Sequence, residues 1–187
     1  MQGPFSLSRS TLEAWEHAIS SPRFGRYVRE SKGNRQLAVR LYQWNSRIGQ
    51  SLYWPLQTLE IVARNGISRA IADKFGSNWH LESGFHTMLA PRPRSTLEDA
   101  VRRQKQQRCI ANPSADSVIA DISFGFWSTV VTGHYHVPLG WAKRLPIAFP
   151  YLPGNATREM VSHRLDGARD LRNRISHHEP LLGMRLT

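Results

Sequence analysis

The sequence predicts an all-α protein, a bundle of mostly antiparallel helices. Apolar residues recur every three or four positions along most of the chain, which is typical of helices that bury one face. Pro and Gly separate these stretches, and none of them alternates between apolar and polar residues as a half-buried strand does. Short connections between helices favour antiparallel packing. The length of 187 residues predicts one domain with a sizeable core.

The N-terminal part of the chain predicts a short helix and then a long one. Ser10 has a glutamate three positions later, which is the spacing of a capping box, and apolar residues follow at helical intervals. The Ser-Ser-Pro sequence at 20–22 ends this helix, because proline cannot continue it. Asn34 caps the long helix, which extends to about residue 75. Pro55 is expected to kink that helix or to begin another.

The rest of the chain predicts a loop followed by further helices. Residues 80–94 are assigned to the loop, since two prolines lie close together there. Ser95 repeats the capping-box spacing and begins a basic helix. An apolar helix is predicted from about residue 115 to 131, and a short one over 139–145. Asn155 is expected to cap the last helix.

The composition predicts a basic protein of a reducing compartment. Lys and Arg number 25 against 14 Asp and Glu, for a net charge of +11, and 21 of the 25 are Arg. A polyanionic partner such as nucleic acid explains this charge, and so does the codon bias of a GC-rich genome. Cys109 is the only cysteine, which excludes an internal disulfide and favours the cytoplasm. No stretch approaches the roughly 20 apolar residues of a membrane span, so no membrane partner is expected.

The most informative stretch of the sequence lies near the C-terminus. Arg172 and His177 lie on the last predicted helix, which Glu179 and Pro180 end, because a residue before proline avoids the helical conformation. Five positions on a regular helix place two side chains about 140° apart. Arg172 and His177 therefore converge only if the last turn unwinds or if a second copy of the chain contributes.

An arginine and a histidine suit the cleavage of RNA by its own 2′-hydroxyl. The imidazole of His177 can move the proton, because the ordinary pKa of histidine lies near neutral pH. The guanidinium of Arg172 can stabilise the additional charge of the phosphorane-like transition state. The alternative is structural, since cations at a helix C-terminus interact favourably with the helix dipole.

Three elements of the sequence together carry a resemblance to a known family. The first is Arg172 and Asn173, followed by His177, within the longer string RNRISHHEP. The other two are an internal LE…RN element and an FGFW…FP block, which correspond here to Leu59, Glu60, Arg64, Asn65, Ser123, Phe124, Gly125, Phe126, Trp127, Phe149 and Pro150. Together they resemble the HEPN ribonucleases, whose short motif the first element matches, and RNRISHHEP is similar to the longer signature of the Abi-like (abortive-infection) HEPN proteins of bacteria.

The resemblance implies that residues 36–187 form an Abi-like HEPN domain, and residues 1–35, which lie outside the resemblance, are expected to pack on the same domain as an N-terminal helical extension. Such domains are helical bundles that dimerise, with the motifs of two protomers facing one groove, and they cleave RNA without metal or cofactor as toxins or in antiphage defence. By this resemblance Arg172 and His177 are the catalytic pair and Asn173 positions the motif. An antitoxin protein or a noncoding RNA would restrain such an enzyme. Possible supporting residues of the active site are His178, Glu179, Glu60, Arg64 and Asn65.

Several of these residues also have a structural interpretation. Glu60 and Arg64 have the spacing and order of a helical ion pair, which would brace the bundle. The block at Ser123–Trp127 is interpreted as core packing, and so are Trp44 and Trp54. A solvated basic face and a track for the RNA backbone are equally compatible with Arg102, Arg103, Lys105 and Arg108. Arg174 is a further candidate for binding the RNA backbone.

Two other kinds of site are disfavoured by the sequence, and two other functions stay open. His134 and His136 have no nearby Cys or carboxylate to complete a zinc site, and Cys109 has no CxxC partner. A non-catalytic RNA-binding or regulatory HEPN module would retain the same cations. A structural dimer that binds a partner protein or an antitoxin is the third class.

Overall fold

The computed structural model describes residues 6–109 and 111–184, and of Arg108 it describes the backbone only. The described residues form helices and no strand, which confirms the predicted all-α helical bundle. None of the described helices is both long enough and apolar enough to cross a bilayer. The α-helices are α1 Arg9–Ile19, α2 Ser21–Glu30, α3 Arg35–Phe75, α4 Ser83–Met88, α5 Pro91–Arg108, α6 Ala115–Asp121, α7 Phe124–Val130, α8 His136–Leu139, α9 Trp141–Ala148 and α10 Arg158–Ser176, with 3₁₀ helices at Trp79–Leu81 and Gly133–Tyr135.

The chain divides into two compact units. The first unit comprises residues 1–55 and 172–187, and the second comprises residues 56–171. The division falls at Pro55, inside α3, which is nevertheless one continuous helix, so the expectation of a new helix at Pro55 is wrong. The sequence predicts a boundary between residues 35 and 36, which does not coincide with either of these divisions. That boundary stays a prediction.

The first unit has a small aromatic core and well-defined helix starts. Its buried apolar residues among those described are Phe24, Tyr27, Ala38 and Val39. The hydroxyl of Ser8, not that of Ser10, accepts a hydrogen bond from the Thr11 amide at 3.1 Å, so the predicted cap is two residues too late. The side chain of Asn34 caps α3 as predicted, by accepting from the Leu37 amide at 3.1 Å. The sequence did not predict α2.

The second unit has the larger core, to which most of its helices contribute. The predicted loop at 80–94 is wrong, because Phe85 and Leu89 are buried and the segment folds into helices around them. Ser95 is not a cap, since α5 already begins at Pro91, a residue whose fixed φ suits the first turn. The predicted helix over 115–131 is two helices, which extended backbone at Ile122 and Ser123 separates.

The start of α10 also differs from the prediction. The hydroxyl of Thr157 accepts from the Met160 amide at 3.2 Å, so Thr157 caps this helix. Asn155 lies in a preceding turn that the Ala156 amide closes on the Pro153 carbonyl at 2.8 Å. Asn155 is favoured in such a turn for the same reason that it is favoured as a cap, because its short polar side chain suits both.

Candidate functional site

The motif residues Arg172, Asn173 and His177 all belong to the first unit, at the end of α10. The Arg172 Nη1 donates to the Asn173 Oδ1 at 3.1 Å. The Asn173 carbonyl accepts from the His177 amide at 2.9 Å. Asn173 therefore contacts both other motif residues, the first through its side chain and the second through its backbone. Arg172 and Asn173 are partly buried, whereas His177 is exposed.

The last turn of α10 ends in a Schellman motif. The Glu179 amide donates to the Arg174 carbonyl at 2.7 Å, and the His178 amide donates to the Ile175 carbonyl at 3.0 Å. His178 occupies the left-handed position with a φ of 54°, where glycine is the usual residue. The last helical residue of α10 is therefore Ser176, and His177 is the first residue after it.

The segment after the motif is held by α2 and α3. The side-chain oxygen of Asn45 accepts from the Leu181 amide at 2.7 Å, and Asn45 is buried. A guanidinium nitrogen of Arg23 lies 3.5 Å from the His177 carbonyl, to which it donates. The guanidinium of Arg174, a predicted RNA-binding residue, lies 3.9 Å from the Glu179 carboxylate. These contacts fix the backbone around His177 from two sides.

A cavity of about 410 Å³ borders the end of the motif. His178 and Glu179 line it, whereas Arg172 and His177 do not. Its other lining residues are Tyr27, Tyr42, Asn45, Ser46, Gly49, Gln50, Tyr53, Ile175, Ser176 and Leu181. The sequence reasoning missed the contribution of α3. The signal was present, since Tyr42, Asn45, Gly49 and Tyr53 are spaced as one helix face.

Two aromatic contacts fix the ring of Tyr42 at this cavity. The ring of Trp15 meets it edge to face at 5.6 Å between centroids, and that of Tyr27 does so at 5.3 Å. Burial raises the pKa of Tyr27 above its usual value, and the neighbouring Tyr42 raises it further. Tyr27 therefore stays a neutral phenol at physiological pH.

The internal LE…RN element lies on the part of α3 that belongs to the second unit. Glu60 and Arg64 are partly buried there, and Asn65 is exposed. The Arg64 Nε is buried and has no hydrogen-bond partner among the described residues. Their supporting role stays a prediction.

The predicted basic face of α5 is partly neutralised by acids. Arg102 lies 2.5 Å from an Asp99 oxygen, and Arg103 lies 3.0 Å from an Asp121 oxygen. Lys105 is exposed, and the side chain of Arg108 lies outside what the structure describes. The interpretation as an RNA-backbone track stays a prediction.

A second cavity, of about 590 Å³, lies in the second unit beside α5. His80 and His86 line it together with Glu98. The His80 side chain is fully buried, and its Nε2 lies 2.9 Å from the Pro113 carbonyl. Burial lowers the pKa of His80, the hydrogen bond to the Pro113 carbonyl opposes this with a smaller effect, and the nearby His86 lowers the pKa least of the three.

Of the aromatic residues that the sequence assigned to the core, one group is buried and the other is exposed. Phe124, Phe126 and Trp127 are buried in the core of the second unit, which confirms the interpretation of the Ser123–Trp127 block as packing. Trp44 and Trp54 are 49% and 72% exposed, so their interpretation as core residues is wrong. Both are exposed on α3. Helical periodicity alone does not show whether an apolar residue faces the core or the solvent.

The described residues contain no group of three or more His, Cys, Asp or Glu side chains arranged to hold a metal ion. His134, His136 and Cys109 are all exposed.

Comparisons of the chain with protein-family models, with curated proteins and with solved structures find no match. The resemblance to the Abi-like HEPN proteins therefore rests on the sequence motifs and stays a prediction.

Proposed function

We propose that this chain is a metal-independent endoribonuclease of the Abi-like HEPN type that acts as a toxin or antiphage effector. The observation that carries the proposal is the arrangement of Arg172, Asn173 and His177 at one helix end, with Asn173 contacting both of the others. His177 is exposed, as a group that exchanges a proton with a large substrate must be. A non-catalytic RNA-binding module is the alternative that the experiment below distinguishes.

In the proposed reaction the 2′-hydroxyl oxygen of the RNA attacks the adjacent phosphorus. The bond from the 2′-oxygen to phosphorus forms while the bond from phosphorus to the 5′-oxygen breaks. His177 accepts the proton of the 2′-hydroxyl or protonates the departing 5′-oxygen, and a second His177 takes the complementary role in a homodimer. Arg172 binds the phosphate and stabilises its transition state. The products are a 2′,3′-cyclic phosphate and a 5′-hydroxyl.

The proposed homodimer would place two copies of the motif in one groove. The exposed Trp44 and Trp54 on α3 are the candidates for the dimer surface, because aromatic side chains are enriched at protein interfaces. An antitoxin protein or a noncoding RNA that blocks the groove would restrain the enzyme.

The experiment is cleavage of RNA by the purified chain in EDTA, with identification of the product ends. His177→Ala and Arg172→Ala are expected to lower the rate by about 100-fold or more, since each removes a group that acts on the transition state. The matched controls are His163→Ala and Arg164→Ala, at exposed positions of the same helix, which should leave the rate unchanged.

The results separate the candidate functions. Equal rates in the motif variants and in the controls would contradict the assignment. Salt-sensitive RNA binding without cleavage would favour the non-catalytic module. Mixing the two inactive variants should restore part of the activity if one site draws on two chains.

A further inference from the structure

The cavity beside the motif has the size and chemistry of a ligand site that the proposed reaction does not yet use. It measures about 410 Å³, and sites for small molecules are about 300–1,000 Å³. It lies wholly within the first unit, so that its walls belong to one compact body. It is also contiguous with the motif, because His178 and Glu179 follow His177 directly in the chain.

The aromatic side chains that line the cavity are suited to a flat ring. Tyr42 is held edge-on by Trp15 and Tyr27, so its orientation is fixed before anything binds. Tyr53 is 60% exposed at the edge of the same cavity, where its ring is accessible to a ligand. Proteins recognise unpaired RNA bases chiefly by stacking on such side chains.

The polar side chains that line the cavity are suited to the edge of a base. Asn45 is oriented by the Leu181 amide, and Gln50 also lines the cavity. Glu179 supplies the one carboxylate among the lining residues. Its oxygen lies 3.9 Å from the Arg174 nitrogen, which is beyond a normal hydrogen bond, so the carboxylate retains capacity to accept from a ligand.

We propose that this cavity binds one unpaired nucleobase of the RNA strand, next to the phosphate that is cut, and that it prefers guanine. Guanine presents two adjacent N–H donors on its Watson–Crick edge, and a carboxylate accepts both at once. The proposal rests on the proposed ribonuclease function. It assigns to His178 and Glu179 a role in sequence preference, separate from the role of His177 in the chemistry.

The first test is direct binding of nucleotides, which requires no cleavage. The four ribonucleoside 5′-monophosphates are titrated into the purified chain by calorimetry, and guanosine monophosphate is expected to bind about tenfold more tightly than the other three. Ser46→Trp places a bulky ring in the cavity from an exposed position of α3 and should weaken that binding by about tenfold or more.

The matched control is Ser51→Trp. Ser51 is also exposed on α3, its hydroxyl also donates to a carbonyl of the preceding turn, and it does not line the cavity. Equal melting temperatures of the two variants would show that both fold. Equal nucleotide affinity in Ser46→Trp and Ser51→Trp, or no binding of any nucleotide by the unmodified chain, would overturn the proposal.

The second test is the sequence at the cut sites, which separates this proposal from the one on which it rests. In Glu179→Gln the preference for guanine beside the cut should fall about tenfold relative to that of the unmodified chain, whatever the overall rate of cleavage. Guanine binding by a chain that cuts no RNA would support the cavity and contradict the ribonuclease. RNA cleavage with an unchanged cut pattern in both Ser46→Trp and Glu179→Gln would support the ribonuclease and overturn the cavity.

Discussion

The two compact units differ in how they use charge and apolar residues. Residues 1–55 and 172–187 carry 11 basic and 4 acidic residues, a net charge of +7, whereas residues 56–171 carry 14 and 10, a net charge of +4. Among the described residues the second unit buries 24 apolar residues in its core, and the first buries four. The smaller core thus goes with the larger net charge.

Arginines of both units pair with carboxylates, as Arg35 does with Glu16 at 3.1 Å in the first unit and Arg144 does with Asp73 at 3.0 Å in the second. In the first unit, Arg23 and Arg26 also donate to the backbone carbonyls of His177 and Leu182. A carbonyl carries no net charge, so these hydrogen bonds do not neutralise the guanidinium groups, and the excess of basic residues gives the first unit a field that attracts anions. The comparison teaches that the larger core and the larger net charge lie in different parts of this chain.

The largest expected effect on stability is in the core of the second unit. Trp127 is fully buried, and its ring packs against those of Phe126 and Trp79 at 5.1 and 6.0 Å between centroids. Trp127→Ala should lower the free energy of unfolding by about 3–5 kcal/mol, because it removes a large buried side chain and leaves a cavity. Denaturant unfolding measures the change.

Tyr151→Ala is the control for that measurement, since Tyr151 is 98% exposed in the same unit and should change stability by less than about 0.5 kcal/mol. If Trp127→Ala lowered the free energy of unfolding as little as the control does, the comparison of the two units would be contradicted, because stability would then not depend on this core.

A smaller effect is expected from the buried histidine of the second unit. The pKa of His80 is lowered, chiefly by burial, so the folded state holds the neutral imidazole more firmly than the unfolded state does. Its contribution to stability is therefore present above the ordinary histidine pKa of about 6.5 and is lost as the pH falls below it. His80→Gln should flatten the decline of the unfolding midpoint between pH 7 and pH 5.

His134→Gln, at an exposed position, should leave that decline as it is in the unmodified chain. An equally steep decline in His80→Gln would mean that other groups cause the acid sensitivity of this unit.

Much of the fold was predictable, because a helix that buries one face has apolar residues at every third or fourth position of its sequence. The packing of the Ser123–Trp127 block is of this kind. Caps were predictable only in part: Asn34 caps α3 as its side chain predicts, whereas Ser8 and Ser10 have the same chemistry and the sequence does not decide between them. The loop expected at 80–94 failed for a related reason, because its prolines lie where a helix begins.

The candidate site was half predictable. Arg172, Asn173 and His177 are contiguous enough for a motif to reveal them. The cavity was not, because Tyr42 and Asn45 lie more than 125 residues from His178 and no local pattern joins them. Trp44 and Trp54 were wrongly assigned to the core, since periodicity does not show which apolar face finds a partner within the chain.

The smallest expected effect concerns two helix ends, one in each unit. Unlike the Trp127→Ala substitution, the change at the end of α10 should raise the free energy of unfolding. After α3, Gly76 adopts a φ of 84°, where a Cβ would meet no atom within 4 Å. After α10, His178 adopts a φ of 54° with a full side chain. A left-handed residue other than glycine costs about 1 kcal/mol, so His178→Gly should raise the free energy of unfolding by up to that amount.

Gly76→His is the reciprocal control and should lower the free energy of unfolding by a similar amount, because the space around the Cβ is open and only the backbone resists. A histidine in a conformation that glycine adopts more easily favours a role for its side chain. His178→Gly should accordingly weaken guanosine monophosphate binding while it stabilises the chain, and Gly76→His should do neither. If His178→Gly lowered the free energy of unfolding, the imidazole would make a stabilising contact in the first unit, and its side chain would have a structural role.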